Sequence, residues 1–364
     1  MGEEADRRPT DSSGTVSSAS YAASGVNLEA ADEAISRIGK IVASTFRPEV
    51  LGGIGGFGGS FALDLSEVTA PVLVASTDGV GTKLLVAHAA HRYDTVGIDL
   101  VAMCVDDLVC VGAEPLFLLD YIATGRLDPD DIEVIVGGVA EGCRQAGCAL
   151  LGGEIAEHPG EMPSGKFDIA GFSVGVVDRG SELGPENVRA GDLLVGLRSP
   201  GLRSNGYSLA RKVLLEDSAL PLDGPAWPGA GTTLADELLR PSVIYAPRVL
   251  AAVRAGGGAV HAAAHITGGG MPGNLVRALP DGCSAIVDRS SWAEPEIFGL
   301  IRRSGPVDDD EMERVFNLGI GMVLVVAAPG VDQVLGALGA STGAVVIGEV
   351  VSGPREVRMT GVRA

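Results

Sequence analysis

Apolar positions along this chain alternate between two spacings, and the changes from one to the other mark out successive helices and strands. Ile35, Ile38, Val42 and Phe46 recur at helix spacing and predict a helix over 31–46. Pro71-Val72-Leu73-Val74-Ala75 is a β-type run, and Leu84-Leu85-Val86-Ala87-His88 follows it as a helical one, predicted over 83–90. The same reasoning predicts helices over 99–111 and 132–146, with strands over 116–122, 149–151 and 169–177. Residues 183–191, carrying Gly184 and Pro185, read as a linker. Beyond it come strands over 193–197, 285–288, 321–327 and 345–351, and helices over 207–216, 243–255, 296–303 and 331–338. The expectation is a mixed α/β (α+β) protein of two domains: an N-terminal unit over 21–182 and a C-terminal unit over 183–364. Residues 1–20 are polar and Ser/Thr-rich, without an apolar stretch, and read as a disordered leader instead of a signal peptide.

Composition narrows the partners. A formal net charge of −20 argues against nucleic acid and anionic membrane, which attract basic patches. The apolar run over 320–328 falls far short of the ~20 residues that span a bilayer. Five cysteines, Cys104, Cys110, Cys143, Cys148 and Cys283, are odd in number and form no C-x-x-C pair, which suits small core residues in a reducing cytoplasm. The 53 glycines cluster at element ends, as in a protein with many ligand-facing turns. Ten consecutive positions, Leu51 to Ser60, hold six of them and cannot sustain a long regular element; they form either a mobile lid or a hairpin turn close to a ligand.

Several corners carry chemistry. Ser76-Thr77-Asp78-Gly79-Val80-Gly81-Thr82-Lys83 joins a strand to a helix through two glycines, exposing backbone N–H groups that suit phosphate. Lys83 is one of only four lysines among 27 basic residues, and the stretch departs from the P-loop pattern. A plain strand–turn–helix corner with an exposed lysine is the simpler alternative. On the next helix Asp99 and Asp106 fall within about 20° of one face and about 10 Å apart along the axis, with Asp107 roughly 80° from Asp99. That separation disfavours one shared Mg²⁺ and fits two ions, or an ion and a nucleotide contact; otherwise Asp99 caps the helix and the pair lies at a solvated edge. Glu154 ends a short strand after Gly152 and Gly153, where α/β sheets place ligands, or is a turn glutamate. Ser204 and Asn205 precede a helix as N-caps or as part of an anion site with Arg203 and Gly206. His261 and His265 have the spacing of a helical zinc pair, yet lack a Glu-x-x-His context and meet Gly268-Gly269-Gly270 at once, which rules zinc out. A single histidine beside that glycine turn fits a proton-donating or hydrogen-bonding role.

Taken in order, these segments resemble the phosphoribosylformylglycinamidine cyclo-ligase (aminoimidazole ribonucleotide synthetase) family from Tyr21 to about Val351. The segments that carry it are 21–26, 52–61, 77–83, 94–108, 112–117, 120–125, 152–160, 204–209, 265–270 and 316–322. The resemblance implies two α/β domains, strands of the N-terminal one joining a β-barrel at the centre of a homodimer. It implies ATP, Mg²⁺ and formylglycinamidine ribonucleotide as substrate, phosphorylated on its formyl oxygen before ring closure. Lys83, His265 and Asp78 are then the expected catalytic residues. Gly55, Gly56, Phe57, Gly58, Gly59, Asp78, Gly79, Gly81, Thr82, Lys83 and Glu154 would bind nucleotide. Ser204, Asn205, Gly206, His265, Thr267, Gly268 and Gly269 would bind substrate, and Asp78, Asp99 and Asp107 the metal. Against that pattern stand Asp106, where asparagine is usual, Asn27, Ile155 and His158, the residues Leu202 and Arg203, and the stretch Met271-Pro272-Gly273. Relatives on the same fold are disfavoured: a selenophosphate synthetase needs an N-terminal reactive cysteine, and the first cysteine here is Cys104. A binding module that has lost catalysis is the alternative of another class, disfavoured because Asp78, Lys83, Asp99 and His265 are all present.

Overall fold

A computed structural model describes residues 24–66 and 68–361, so the expected leader lies outside the described residues. The N-terminal half runs α1 (Leu28–Ala43), β1 (Val50–Leu51), β2 (Ser60–Phe61), β3 (Pro71–Gly79), α2 (Lys83–Ala90), α3 (Val96–Cys110), β4 (Glu114–Thr124), α4 (Pro129–Ala146), β5 (Ala149–Glu157) and β6 (Phe167–Asp178). Local chemistry sets these bounds. Asn27 caps α1 by accepting from the Ala30 N–H at 3.2 Å, while Asp128 caps α4, Pro129 opens it and Gly147 ends it at φ 74°. Sequence reasoning placed the strands but cut them short, because their polar ends (Ser76–Gly79, Gly152–Glu157) carry no apolar signal although the backbone stays paired.

Four strands form a sheet in the order β3-β6-β4-β5, antiparallel except for the β4–β5 pair. Helices α3 and α4 cover one face; Gly171 lets α3 approach, since a Cβ there would meet Cys104 Sγ at 2.9 Å. The other face is open, with Leu73, Tyr121 and Phe172 exposed on neighbouring strands. Strands β1 and β2 pair at Val50↔Phe61 and Leu51↔Ser60, so the glycine-rich stretch is the turn of a short hairpin.

The C-terminal half runs β7 (Leu193–Arg198), α5 (Tyr207–Arg211), α6 (Leu234–Leu238), α7 (Ala246–Gly256), β8 (Val260–His265), α8 (Gly270–Leu275), β9 (Cys283–Asp288), α9 (Glu296–Ser304), α10 (Asp309–Val315), β10 (Ile320–Val326), α11 (Val331–Leu338), β11 (Val345–Ser352) and β12 (Glu356–Thr360). Its six strands lie in the order β12-β9-β11-β7-β10-β8, all antiparallel except β12 with β9. Alternate residues of β10 serve two cores: Leu324 and Val326 join one that extends into the N-terminal half, Val323 and Val325 the other. Strand β8 went unread in the sequence because His-Ala-Ala-Ala-His shows neither period. As a strand it separates His261 from His265 by about 13 Å, and His261 Nδ1 meets Asp192 Oδ2 at 2.7 Å, away from the site.

Candidate active site

The two halves meet where α3 lies against the loops after β7 and before α7, and against the end of β8. Asp99 and Asp106 do share a face, and both are fully buried. Their partners are protein cations. Lys83 Nζ, also fully buried, lies 2.5 Å from Asp99 Oδ2 and donates to the carbonyls of Arg203 at 3.0 Å and Arg240 at 2.8 Å. Two ammonium protons are thereby used on carbonyls, and Asp99 Oδ1 accepts from the Ser242 N–H at 2.8 Å and hydroxyl at 2.6 Å. Burial holds the Lys83 pKa below its ordinary value despite Asp99. Neither simple alternative, an exposed lysine or a helix-capping Asp99, describes this: the lysine turns inward because α2 begins directly at the corner.

Asp106 is held likewise. Its Oδ1 accepts from the N–H groups of Tyr245 at 2.8 Å and Ala246 at 3.1 Å, and its Oδ2 from Arg203 Nη2 at 2.8 Å. Asp107, one residue and about 100° further round the helix, turns instead toward solvent. There its Oδ1 accepts from His265 Nδ1 at 2.9 Å and its Oδ2 from the Ser76 hydroxyl at 3.3 Å. Burial alone would raise the Asp107 pKa, but the hydrogen bonds from His265 and Ser76 bring it below the usual range. Asp78 lies nearby, its Oδ1 accepting from the Gly79 N–H at 2.7 Å; burial, then the charge of Asp107, raises its pKa.

Asp107 and His265 open onto a cavity of about 330 Å³ lined also by Ser76, Cys110, Asn274 and Arg277. Arg277 is its one lysine or arginine, is exposed, and makes no hydrogen bond or ion pair with the described residues. The glycine turn sits above: Gly269 and Gly270 have φ of 101° and 61°, and a Cβ on Gly270 would strike the Glu313 carbonyl at 1.8 Å. Asn274 Nδ2 ties this turn down through the carbonyls of Thr267, Gly268 and Gly270 at 3.3, 3.2 and 2.8 Å. Ser204 Oγ and Asn205 Oδ1 are buried without a hydrogen-bond partner among the described residues, and Asn205 faces Gly268. Unpaired buried acceptors are costly, which marks this cradle as built for something polar. Gly206 needs its φ of 77° and its missing Cβ, which would lie 2.3 Å from the Phe316 ring.

The expected residues therefore fall into groups. Asp78, Asp107 and His265 converge, and Ser204, Asn205, Gly206, Thr267, Gly268 and Gly269 form the neighbouring cradle. Gly79, Gly81 and Thr82 make the corner before α2, with Thr82 Oγ1 3.1 Å from Ser208 Oγ. Asp99 stands apart with Lys83, and among the described residues no three His, Cys, Asp or Glu side chains gather into a metal-binding group. Gly55, Gly56, Phe57, Gly58 and Gly59 lie in the hairpin turn, exposed, with Gly59 against the Leu151 carbonyl. Glu154 pairs with Tyr121 and so points to the open face of the sheet, opposite Asp78. Sequence reasoning missed Arg277, Asn274 and Asp120. Asp78, Gly171, Asp120 and Gly153 make one cross-strand row, and burial pushes the Asp120 carboxyl up to about 7. Only strand register could have revealed that row.

Comparison with known proteins gives this arrangement its class. Residues 64–177 match the family description "AIR synthase related protein, N-terminal domain", and 189–360 its "C-terminal domain" counterpart. Solved structures agree in fold: a thiamine-monophosphate kinase from Stenotrophomonas maltophilia K279a superposes with TM-score 0.62 at 22% identity, covering 91% of this chain and 97% of that one. The hydrogenase maturation protein HypE in complex with ATP gives TM-score 0.62 at 18% identity, with 91% of each chain covered. The phosphoribosylformylglycinamidine cyclo-ligase of Myxococcus xanthus (strain DK1622) is 54% identical over 337 residues, 92% of this chain and 97% of the relative. That of Trichlorobacter lovleyi is 51% identical over 335 residues, 92% and 95% of the two chains. The chain belongs to the phosphoribosylformylglycinamidine cyclo-ligase family of AIR synthase-related proteins.

Proposed function

We propose that this chain closes the imidazole ring of 5-aminoimidazole ribonucleotide from formylglycinamidine ribonucleotide, using ATP and releasing ADP and phosphate, as a cytoplasmic enzyme of purine synthesis. Identity above 50% to named cyclo-ligases over nine-tenths of the chain carries this reading. An amide oxygen is a poor leaving group. Phosphorylation of the formyl oxygen converts it into a good one, and the amidine nitrogen then attacks that carbon with loss of phosphate.

The residues divide the work. Backbone N–H groups of the corner at Gly81 and Thr82 face the phosphates, the Gly79 N–H being taken by Asp78, with Lys83 and Asp99 bracing the corner from behind. Ser204 and Asn205 offer their unpaired oxygens to the substrate, and Arg277 meets its phosphate. Asp107 takes the proton that the attacking nitrogen sheds, oriented by the bond from His265. Asp78 and Asp107, with Asp120 in the cross-strand row of Asp78, are hard oxygen donors of the kind Mg²⁺ prefers, and the charge of Asp107 that helps raise the Asp78 carboxyl is what such an ion would offset. When bound it would offset charge on the moving phosphoryl group. Asp99, already matched by Lys83, is the least available of the three carboxylates first expected there. The Gly55–Gly59 hairpin turn closes over the nucleotide and keeps water from the phosphorylated intermediate.

A homodimer fits the open face of the four-stranded sheet, whose Leu73, Tyr121 and Phe172 need covering. Glu154 shares that face and reaches nucleotide only where it meets a second copy. Five unpaired cysteines suit a reducing compartment. The decisive experiment mixes purified protein with Mg²⁺–ATP, with and without formylglycinamidine ribonucleotide. ADP and aminoimidazole ribonucleotide should appear together, one for one, only when the substrate is present; ADP without the product refutes the proposal.

A further inference from the structure

Arg203 is only 2% exposed, and it holds a φ of 64° that a non-glycine residue adopts at a cost. Its guanidinium stacks on Tyr245, 4.7 Å from the ring centre, and its Nη1 donates to the Val243 carbonyl at 2.9 Å. Its Nη2 has two hydrogens and two partners: Asp106 Oδ2 at 2.8 Å and His265 Nε2 at 2.9 Å. Arginine has no lone pair to accept with, so His265 Nε2 must be the acceptor. The ring proton then resides on Nδ1, where it donates to Asp107 Oδ1 at 2.9 Å. The opposite tautomer would set two N–H donors against each other in a buried space and leave Asp107 facing a second lone pair.

We infer that the buried Arg203–Asp106 pair is a positioning device that fixes His265 in the Nδ1–H tautomer and thereby aims Asp107 into the cavity. Asp106 anchors the arginine: its Oδ1 is pinned by two backbone N–H groups at the start of α7, so Oδ2 is fixed in direction. The arginine passes that direction to the imidazole, and the imidazole to the carboxylate. Asp106 and Arg203 come from opposite halves of the chain, and the structure brings them into contact with each other as one unit. Neither residue lines the cavity; both act through His265. A pair that merely braced the domains would leave the imidazole tautomer indifferent to its removal, and that difference makes the idea testable. The catalytic part rests on the cyclo-ligase reading, whereas the tautomer part does not.

The test uses the full chain labelled with ¹⁵N-histidine, in which five histidines are resolved and His265→Gln identifies the signal of interest. Long-range ¹H–¹⁵N spectra should give His265 a protonated-type shift at Nδ1 and a bare-nitrogen shift at Nε2. Arg203→Met alone leaves a buried carboxylate unmatched and is liable to unfold, so the informative variant is Asp106→Asn with Arg203→Met, which removes both charges together. Its His265 signals should move toward each other as the two tautomers mix, and turnover should fall roughly 10- to 100-fold, the usual effect of losing a group that orients a working ligand, with the KM for ATP little changed. A folded double variant that keeps the single Nδ1–H tautomer, or turns over at the wild-type rate, overturns the inference, as does a wild-type signal with Nε2 protonated. If the wild-type protein forms no product at all, the cyclo-ligase reading has failed, and the spectra alone still decide the tautomer.

Discussion

Replacing Lys83 by methionine separates a phosphate ligand from a strut. In the structure the ammonium has one carboxylate and two carbonyls as partners and no solvent, so the substitution strands Asp99 in the interior with only Ser242 to bond. Breaking one side of a buried ion pair costs ~3–5 kcal/mol, a drop of roughly 10²- to 10⁴-fold in the folding equilibrium. Burial depresses the Lys83 pKa, and Asp99 works against that by raising it. The double variant Lys83→Met with Asp99→Asn should therefore recover most of the loss, to within about 1 kcal/mol of wild type, because no charge is left unmatched. Urea unfolding followed by tryptophan fluorescence measures both. A single variant as stable as wild type, but inactive, would refute the strut and return Lys83 to direct contact with the triphosphate.

Other outcomes follow from the same geometry. Arg277→Ala should raise the KM for the ribonucleotide roughly 10- to 100-fold, the worth of one or two charge-assisted hydrogen bonds, and leave the KM for ATP unchanged; an equal effect on a substrate analogue lacking the phosphate would show that Arg277 binds something else. Phe172→Glu should convert a dimer into a monomer in gel filtration at micromolar concentration, and an unchanged elution volume would mean the open sheet face is covered in some other way. His88 is buried, its Nδ1 without a partner, and burial lowers its pKa from 6.5. The folded state thus takes up its proton less readily than the unfolded chain. The stability that neutral His88 permits is present above pH ~6.5 and is lost as the pH falls toward the lower folded value. His88→Phe, packed against Tyr93 and Phe167, should flatten that acid-side loss in thermal melts, and an unchanged slope would acquit the histidine.

The alternation of periods was legible along most of the chain because apolar runs belong to elements with one buried face, as in α1 and α4. It failed at β8, where alanines and histidines carry no contrast, and at α10, whose Asp-Asp-Glu-Met-Glu-Arg-Val buries only Met312. Within the site, glycine corners and carboxylates stood out by residue type. What they meet did not. Helical projection set Asp107 apart from Asp99 and Asp106, but only the packing around the helix sends those two to protein cations and Asp107 to the cavity. Arg277 and Asn274 are ordinary in a helical turn and gain meaning only from the cavity between domains that the fold creates. Asp120 needed the register of three strands to be placed beside Asp78.

Arg203 belongs to the C-terminal half, and its carbonyl receives Lys83 while its side chain receives Asp106, both from the N-terminal half. Prising the halves apart would strip Asp106 of its counter-charge and Lys83 of two carbonyl partners at once, so the groove between them is a preformed mould and not a hinged jaw. Whatever admits substrate and then seals it must be a small part riding on a rigid body. The glycine-laden tip between Leu51 and Ser60, held at its base by a single two-rung ladder, is where such yielding is built in.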